Sequence, residues 1–202
     1  IGEPRGDDQY AMGVDVASGT GNDHSTITVV SRTTNQIVYH YRNNTILPHK
    51  FADVVFEKYY EFNEPLTCVE QNGVGEVIIL RLVEWRFKGK HWRTNKHNKI
   101  AIYDNLRDLL CNEEIGIISK LLWSEMRTVE ISDAGVPNAV QKGTTDDVII
   151  STALALWMCK IKPAPSFFQV RRDMIQEFKK SVRASRIRNG GPIPWTPAGG
   201  FK

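Results

Sequence analysis

The chain has 202 residues, of which 41% are hydrophobic and 24% charged, the make-up of a water-soluble globular domain with enough apolar material for a real core. No run approaches the roughly 20 uncharged apolar residues that a membrane span requires, and no basic-then-apolar leader opens the chain. The formal charge of +3 is unevenly spread: residues 163–202 hold eight of the 26 Lys and Arg but only two of the 23 Asp and Glu, so a mildly acidic body precedes a basic tail. Three widely spaced cysteines, Cys68, Cys111 and Cys159, form no C-x-x-C, which argues against a disulfide framework or a zinc ribbon and for a reducing compartment.

In chain order, YAMGVDVAS from Tyr10 reads as an apolar strand ending in Asp15, and SGTGND as the turn after it. Ser25–Ser31 and Ile37–Tyr41 are rich in β-branched and aromatic residues, so the opening is a three-stranded antiparallel meander. Pro48 starts a helix whose Phe51, Val54, Val55 and aromatic residues 59, 60 and 62 fall on one stripe. Leu66–Glu70 is a fourth strand, again ending in a carboxylate. Beyond Gly73 and Gly75, helices are expected over 76–87 and 96–111, with a short strand near Trp92 between them. Another short strand is expected at 116–118, then a helical or mixed stretch through Arg127 and a hairpin in the turn-rich run 129–147. Asp146 and Asp147 open an apolar helix reaching Lys160, where the positive end of the helix dipole favours them. The division is a lead-in over 1–9, one α/β domain over 10–162 and a basic tail over 163–202.

The candidate chemistry lies in the acids. If strands one and four are neighbours, Asp15, Glu70 and the Asp146–Asp147 pair can meet at one sheet edge. Carboxylates so gathered repel unless a cation sits among them, and hard divalent ions take carboxylate oxygens. Each acid alone has a plainer explanation, a turn residue or a helix cap. Their order along the chain is the informative feature.

That order resembles a known family. GVDVASGTGNDHST, TCVEQNGVG and KGTTDDVIISTALALW resemble the three acidic motifs of the nuclease domain in the large subunit of viral and phage terminases, over roughly residues 10–160. The resemblance implies an RNase H-like α/β fold, a mixed central sheet of about five strands flanked by helices, related to the RuvC resolvases. It implies a Mg²⁺- or Mn²⁺-dependent endonuclease acting on double-stranded concatemeric DNA. Asp15, Glu70 and Asp147 would be the metal-binding acids, with Asp146 beside them and Asp23 as an accessory ligand. The partners implied are DNA, an ATPase domain of the same large subunit, the small subunit and the portal, in the host cell cytoplasm. No G-x-x-x-x-G-K-[ST] loop is present, and with the Ile1 start this points to an isolated nuclease domain.

Arg86, Lys88, Lys90, Arg93, Lys96, Lys99 and Lys142 are the candidate contacts to a DNA backbone; a solvated surface explains them equally well. Other readings are a RuvC-like resolvase or other RNase H-like nuclease, a DNA-binding or assembly module with vestigial acids, and an actin-like ATPase using SGTGN as a phosphate turn. The actin-like reading lacks a second phosphate loop.

Overall fold

The computed structural model describes residues 4–116, 119–139, 143–164 and Lys180. The chain from Ile1 to Ala164 forms one compact unit. Its centre is a five-stranded mixed sheet in the order β3-β2-β1-β4-β5, made of β1 (Tyr10–Asp15), β2 (Ser25–Ser31), β3 (Ile37–Asn43), β4 (Leu66–Glu70) and β5 (Gly89–Trp92). The meander strands pair antiparallel, whereas β4 and β5 run parallel to β1. Around the sheet lie α1 (Pro48–Glu61), α2 (Gly75–Glu84), α3 (Lys96–Cys111), α4 (Lys120–Met126) and α5 (Asp147–Ile161), and β6 (Val129–Ile131) and β7 (Pro137–Ala139) form the expected hairpin.

The two-residue alternation of a strand sorts side chains to opposite faces, and here it decides where the acids go. Tyr10, Met12 and Val14 of β1 join Ile27, Val29 and Val69 in a core covered by α1 and α2. Ala11, Val30 and Cys68 join the other core, built on α3 and α5. By the same alternation Gly13 and Asp15 on β1, and Glu70 on β4, belong to the α5 face. Parallel pairing of Val14 with Val69 then sets Asp15 and Glu70 side by side where their strands end.

Helix α5 buries Val148 through Leu156 without a break, so no amphipathic stripe exists in it. It is an interior helix packed between the sheet, α3 and α4. Its approach to β1 is set by Gly13: a Cβ there would stand 1.9 Å from the Ser151 carbonyl oxygen and 2.7 Å from the Ala155 nitrogen. Only glycine admits this spacing.

Three sequence expectations need correction. Helix α2 stops at Glu84, not Phe87, because Arg86 turns to φ 58° and ends the helical run. Tyr60 lies off the buried stripe of α1 and is 53% exposed, its ring edge-on to Phe56 and Tyr59. Gly116 lies outside any strand; the rest of the segment expected at 116–118 is outside the described residues, as are Lys142 and the tail beyond Ala164 except Lys180.

A polar cluster holds α5 to the meander. The Thr28 hydroxyl lies 2.9 Å from Ser151 Oγ, 3.1 Å from Thr152 Oγ1 and 2.9 Å from His40 Nδ1. Burial lowers the His40 imidazole to about 4 from its ordinary 6.5. The unfolded chain therefore takes up this proton near pH 6.5 and the folded chain only near 4, so the imidazole's contribution is full above about pH 6.5 and declines as pH falls towards 4. His40→Asn retains a group facing Thr28 but cannot titrate. Chemical denaturation at pH 7 and pH 4 should show the wild type losing about 2–3 kcal/mol more than His40→Asn across that interval; equal losses would contradict the assignment.

Candidate active site

Asp15 is 8% exposed at the end of β1, within hydrogen-bonding reach of the Glu70 carboxyl at the end of β4. Burial pushes the Asp15 carboxyl well above the usual carboxylate range, and Glu70, Asp147 and Asp146 push it further in the same direction. Glu70 is fixed in turn: Thr94 Oγ1 and Asn72 Nδ2 both donate to its Oε1, the latter at 3.1 Å. Thr94 comes just after β5 and Asn72 just after β4, so the carboxylate is held from two connections that leave the same sheet edge.

Asp147 enters from α5. Its Oδ2 accepts the His24 backbone N–H at 2.7 Å, and His24 Nδ1 stands 3.3 Å from the same oxygen. The β1–β2 turn thus clamps the first residue of α5, and the Thr26 hydroxyl repeats the tie by donating to the Asp147 carbonyl at 2.9 Å. Burial raises the Asp147 carboxyl, while the His24 amide and Thr145 oppose that rise and Asp23 and Asp146 add to it. Asp23 itself is exposed on the turn.

The Asp146 side chain does not cap its own helix: the residue occupies the N-cap position of α5 but makes no capping hydrogen bond. Its Oδ2 instead accepts the Tyr103 hydroxyl at 2.6 Å and lies 2.8 Å from Lys99 Nζ, both from α3. The Tyr103 hydroxyl is raised above its ordinary value by burial and by that carboxylate. Lys99, one of the candidate DNA contacts, is paired with Asp146, with Asn138 of the hairpin 3.3 Å away.

Asp15 and Glu70 lie side by side at the edge of the α5 face, and Asp147 and Asp146 stand near enough for their charges to act on Asp15. Among the described residues no three His, Cys, Asp or Glu side chains stand at joint coordinating distance. The donor set still has the chemistry of a hard divalent cation's surroundings: carboxylate oxygens, one deeply buried, that raise one another's proton affinity.

Glu125 on α4 is a participant that the sequence reading missed. It is 5% exposed, and burial raises it to about 7 despite the opposing pull of the Ile149 and Val148 amides and Arg42. Nothing in the segment SEMRTVE marks it, since its partners lie more than twenty residues downstream.

The other candidate cations divide by position. Arg86, Lys88 and Lys90 are exposed from the end of α2 into β5, and Arg93 and Lys96 are exposed where β5 passes into α3. Because β5 runs parallel to β4, with Trp92 beside Glu70, Arg93 and Lys96 belong to the acidic edge, while Arg86 and Lys88 lie towards the opposite end. Arg93 makes one exposed ion pair, with Glu76 at 3.3 Å.

No family model matches the chain. Among solved structures it is similar to the large terminase nuclease of thermophilic phage G20c, with a TM-score of 0.69 and 20% identity over 77% of this chain and 84% of that one. The same nuclease with bound magnesium gives 0.69 and 21% over 78% and 85%. The nuclease domain of the large terminase subunit of bacterial virus Sf6 gives 0.55 and 15% over 80% and 91%. The chain shares the fold of these domains, the expected RNase H-like mixed sheet flanked by helices.

Proposed function

We propose that this chain is the nuclease part of a viral or phage DNA-packaging motor, a divalent-cation-dependent endonuclease that cuts double-stranded concatemeric DNA. The observation that carries the reading is the placement of Asp15 beside Glu70 at two neighbouring strand ends, with Asp147 at the start of α5 near enough for its charge to act on Asp15. The shared fold supports it, as do the structures of the G20c nuclease with bound magnesium and with bound cobalt and of the SPP1 nuclease domain with bound Mn.

Asp15, Glu70 and Asp147 would hold one or two Mg²⁺ or Mn²⁺ ions, with Asp146 beside them and Asp23 accessory. A bound ion of this kind supplies charge to a phosphodiester and lowers the pKa of a water. The chain's own residues prepare the place. Thr94 and Asn72 orient Glu70, the His24 amide orients Asp147, and Lys99 with Tyr103 anchors Asp146. The motor's ATPase, the small subunit and the portal complete the proposed assembly, in the host cytoplasm. Among the described residues no helix is long and apolar enough to cross a membrane.

Plasmid DNA incubated with the protein should be nicked and linearised in Mn²⁺ and left intact in EDTA. Intact plasmid in both would leave a DNA-binding or assembly module and end the nuclease reading. Backbone contacts position DNA without reading its sequence, so cutting should show no strong sequence preference.

The basic residues give a second measurement. Neutralising Arg93 and Lys96 should weaken duplex binding and flatten the slope of log K against log salt by about 2, at roughly 0.9 per lost phosphate contact. Neutralising Arg86 and Lys88 should leave that slope nearly unchanged. Filter binding at several salt concentrations would show it, and equal slopes for both variants would refute the division.

A further inference from the structure

A helix start that carries two aspartates ordinarily spends one on itself. The N-cap side chain accepts from the amides two and three residues on, which in α5 are Val148 and Ile149. Here both amides are taken from outside the helix: Glu125 Oε2 accepts Val148 N–H at 2.8 Å and Ile149 N–H at 3.1 Å. Its other oxygen is held by Thr145 Oγ1 at 3.4 Å and faces Arg42 Nε at 3.6 Å. The backbone amide of Ile150 is satisfied by the Asp146 carbonyl. No capping work remains for the Asp146 carboxylate.

We infer that Glu125 is a positioning residue, a cap supplied in place of Asp146 that releases the Asp146 carboxylate to Lys99, Tyr103 and the acidic edge. The inference deepens the proposed metal-dependent nuclease and rests on that reading for its functional consequence. Asp is among the best N-cap residues, so once Glu125 is gone Asp146, at the N-cap position, is the acceptor that the helix itself supplies to the exposed amides. Its carboxylate then turns back to the helix and leaves the edge. Glutamine at 125 keeps an acceptor oxygen at the same reach and should preserve the arrangement; alanine should not.

Two measurements separate this from a merely structural role. In melts without divalent ions, Asp146→Ser and Asp146→Ala should coincide while Glu125 is present, since the cap is already filled. In a Glu125→Ala background they should differ by about 2–4 °C in favour of serine, the worth of one cap in a chain of this size. The same difference in both backgrounds would overturn the inference. In calorimetric titrations with Mn²⁺, Glu125→Ala should bind about tenfold more weakly than wild type, and Glu125→Gln within about threefold of it. Wild-type affinity in Glu125→Ala, or equal loss in Glu125→Gln, would also overturn it. If Glu125→Ala is too unstable to purify, Glu125→Asp replaces it, one methylene short of both amides. A wild type that binds no Mn²⁺ at all would strike the nuclease reading, leaving the melts to judge the cap.

Discussion

Asp15→Asn should reduce DNA cleavage by well over a hundredfold and leave the folded protein at least as stable as the wild type. The first half follows from the placement of Asp15. Loss of a group that merely supports a metal ligand costs about 10–100-fold, and a ligand's own charge should cost more. The second half follows from the direction of its shift. A carboxyl raised in the folded state opposes folding at pH values above its ordinary range, because the buried charge lies beside Glu70, Asp147 and Asp146. Asparagine removes that repulsion and can donate to Glu70. Melts at pH 7 without divalent ions should therefore place Asp15→Asn at or above the wild type, while the upward shift that millimolar Mn²⁺ gives the wild type should shrink in the variant. A stable variant that still cuts DNA would remove Asp15 from the site. A variant that melts well below wild type would show that the carboxylate serves structure.

The juxtaposition of Asp15 and Glu70 was legible because it depends on strand ends and face alternation, both written locally in the chain. Apolar runs ending at Asp15 and Glu70 give two carboxylates, and one assumption, that strands one and four are neighbours, brings them together; the pairing of β1 with β4 satisfies it. What holds the acids was not legible. Thr94, Tyr103 and Glu125 act on residues 24, 43 and more than twenty positions away, and none belongs to a recognisable spacing. The plainer explanation of Asp146, a helix cap, fails for the same reason: the amides that it would cap are held by Glu125, which arrives from α4. Lys99 was assigned to DNA because a surface lysine among basic neighbours looks free, and its pairing depends on how α3 crosses the start of α5. Gly13, though within a strand, gave its warning only in retrospect. A glycine among apolar strand residues marks either a bulge or a close approach, and the helix that approaches begins more than a hundred residues later.

Gly13→Ala tests how far the site depends on that approach. The added Cβ would meet the backbone of α5 at 1.9, 2.7 and 2.9 Å, at the Ser151 carbonyl oxygen, the Ala155 nitrogen and the Ser151 carbonyl carbon. No rotamer change relieves a backbone clash, so either α5 lifts from the sheet or β1 bends. Both disturb a helix buried along most of its length and tied to β2 through Thr26 and Thr28. Overpacking of a core costs about 1–3 kcal/mol where side chains can adjust, and with backbone on the far side the loss should reach about 3 kcal/mol or more. In a chain of this size that is a fall in Tm of roughly 6–12 °C. Lifting α5 also carries Asp147 away from Asp15, so cleavage should fall even at temperatures where the variant remains folded. Gly6→Ala is the control, since a Cβ there meets nothing within 4 Å, and it should melt within about 1–2 °C of wild type. Thermal melts of the three proteins, followed by plasmid cleavage in Mn²⁺ some 15 °C below the lowest Tm, would separate lost stability from lost geometry. Gly13→Ala with wild-type Tm would refute the close packing of α5 on β1. Lowered Tm with full cleavage would mean that the acids tolerate a displaced helix and that the His24 and Thr26 ties suffice to hold Asp147.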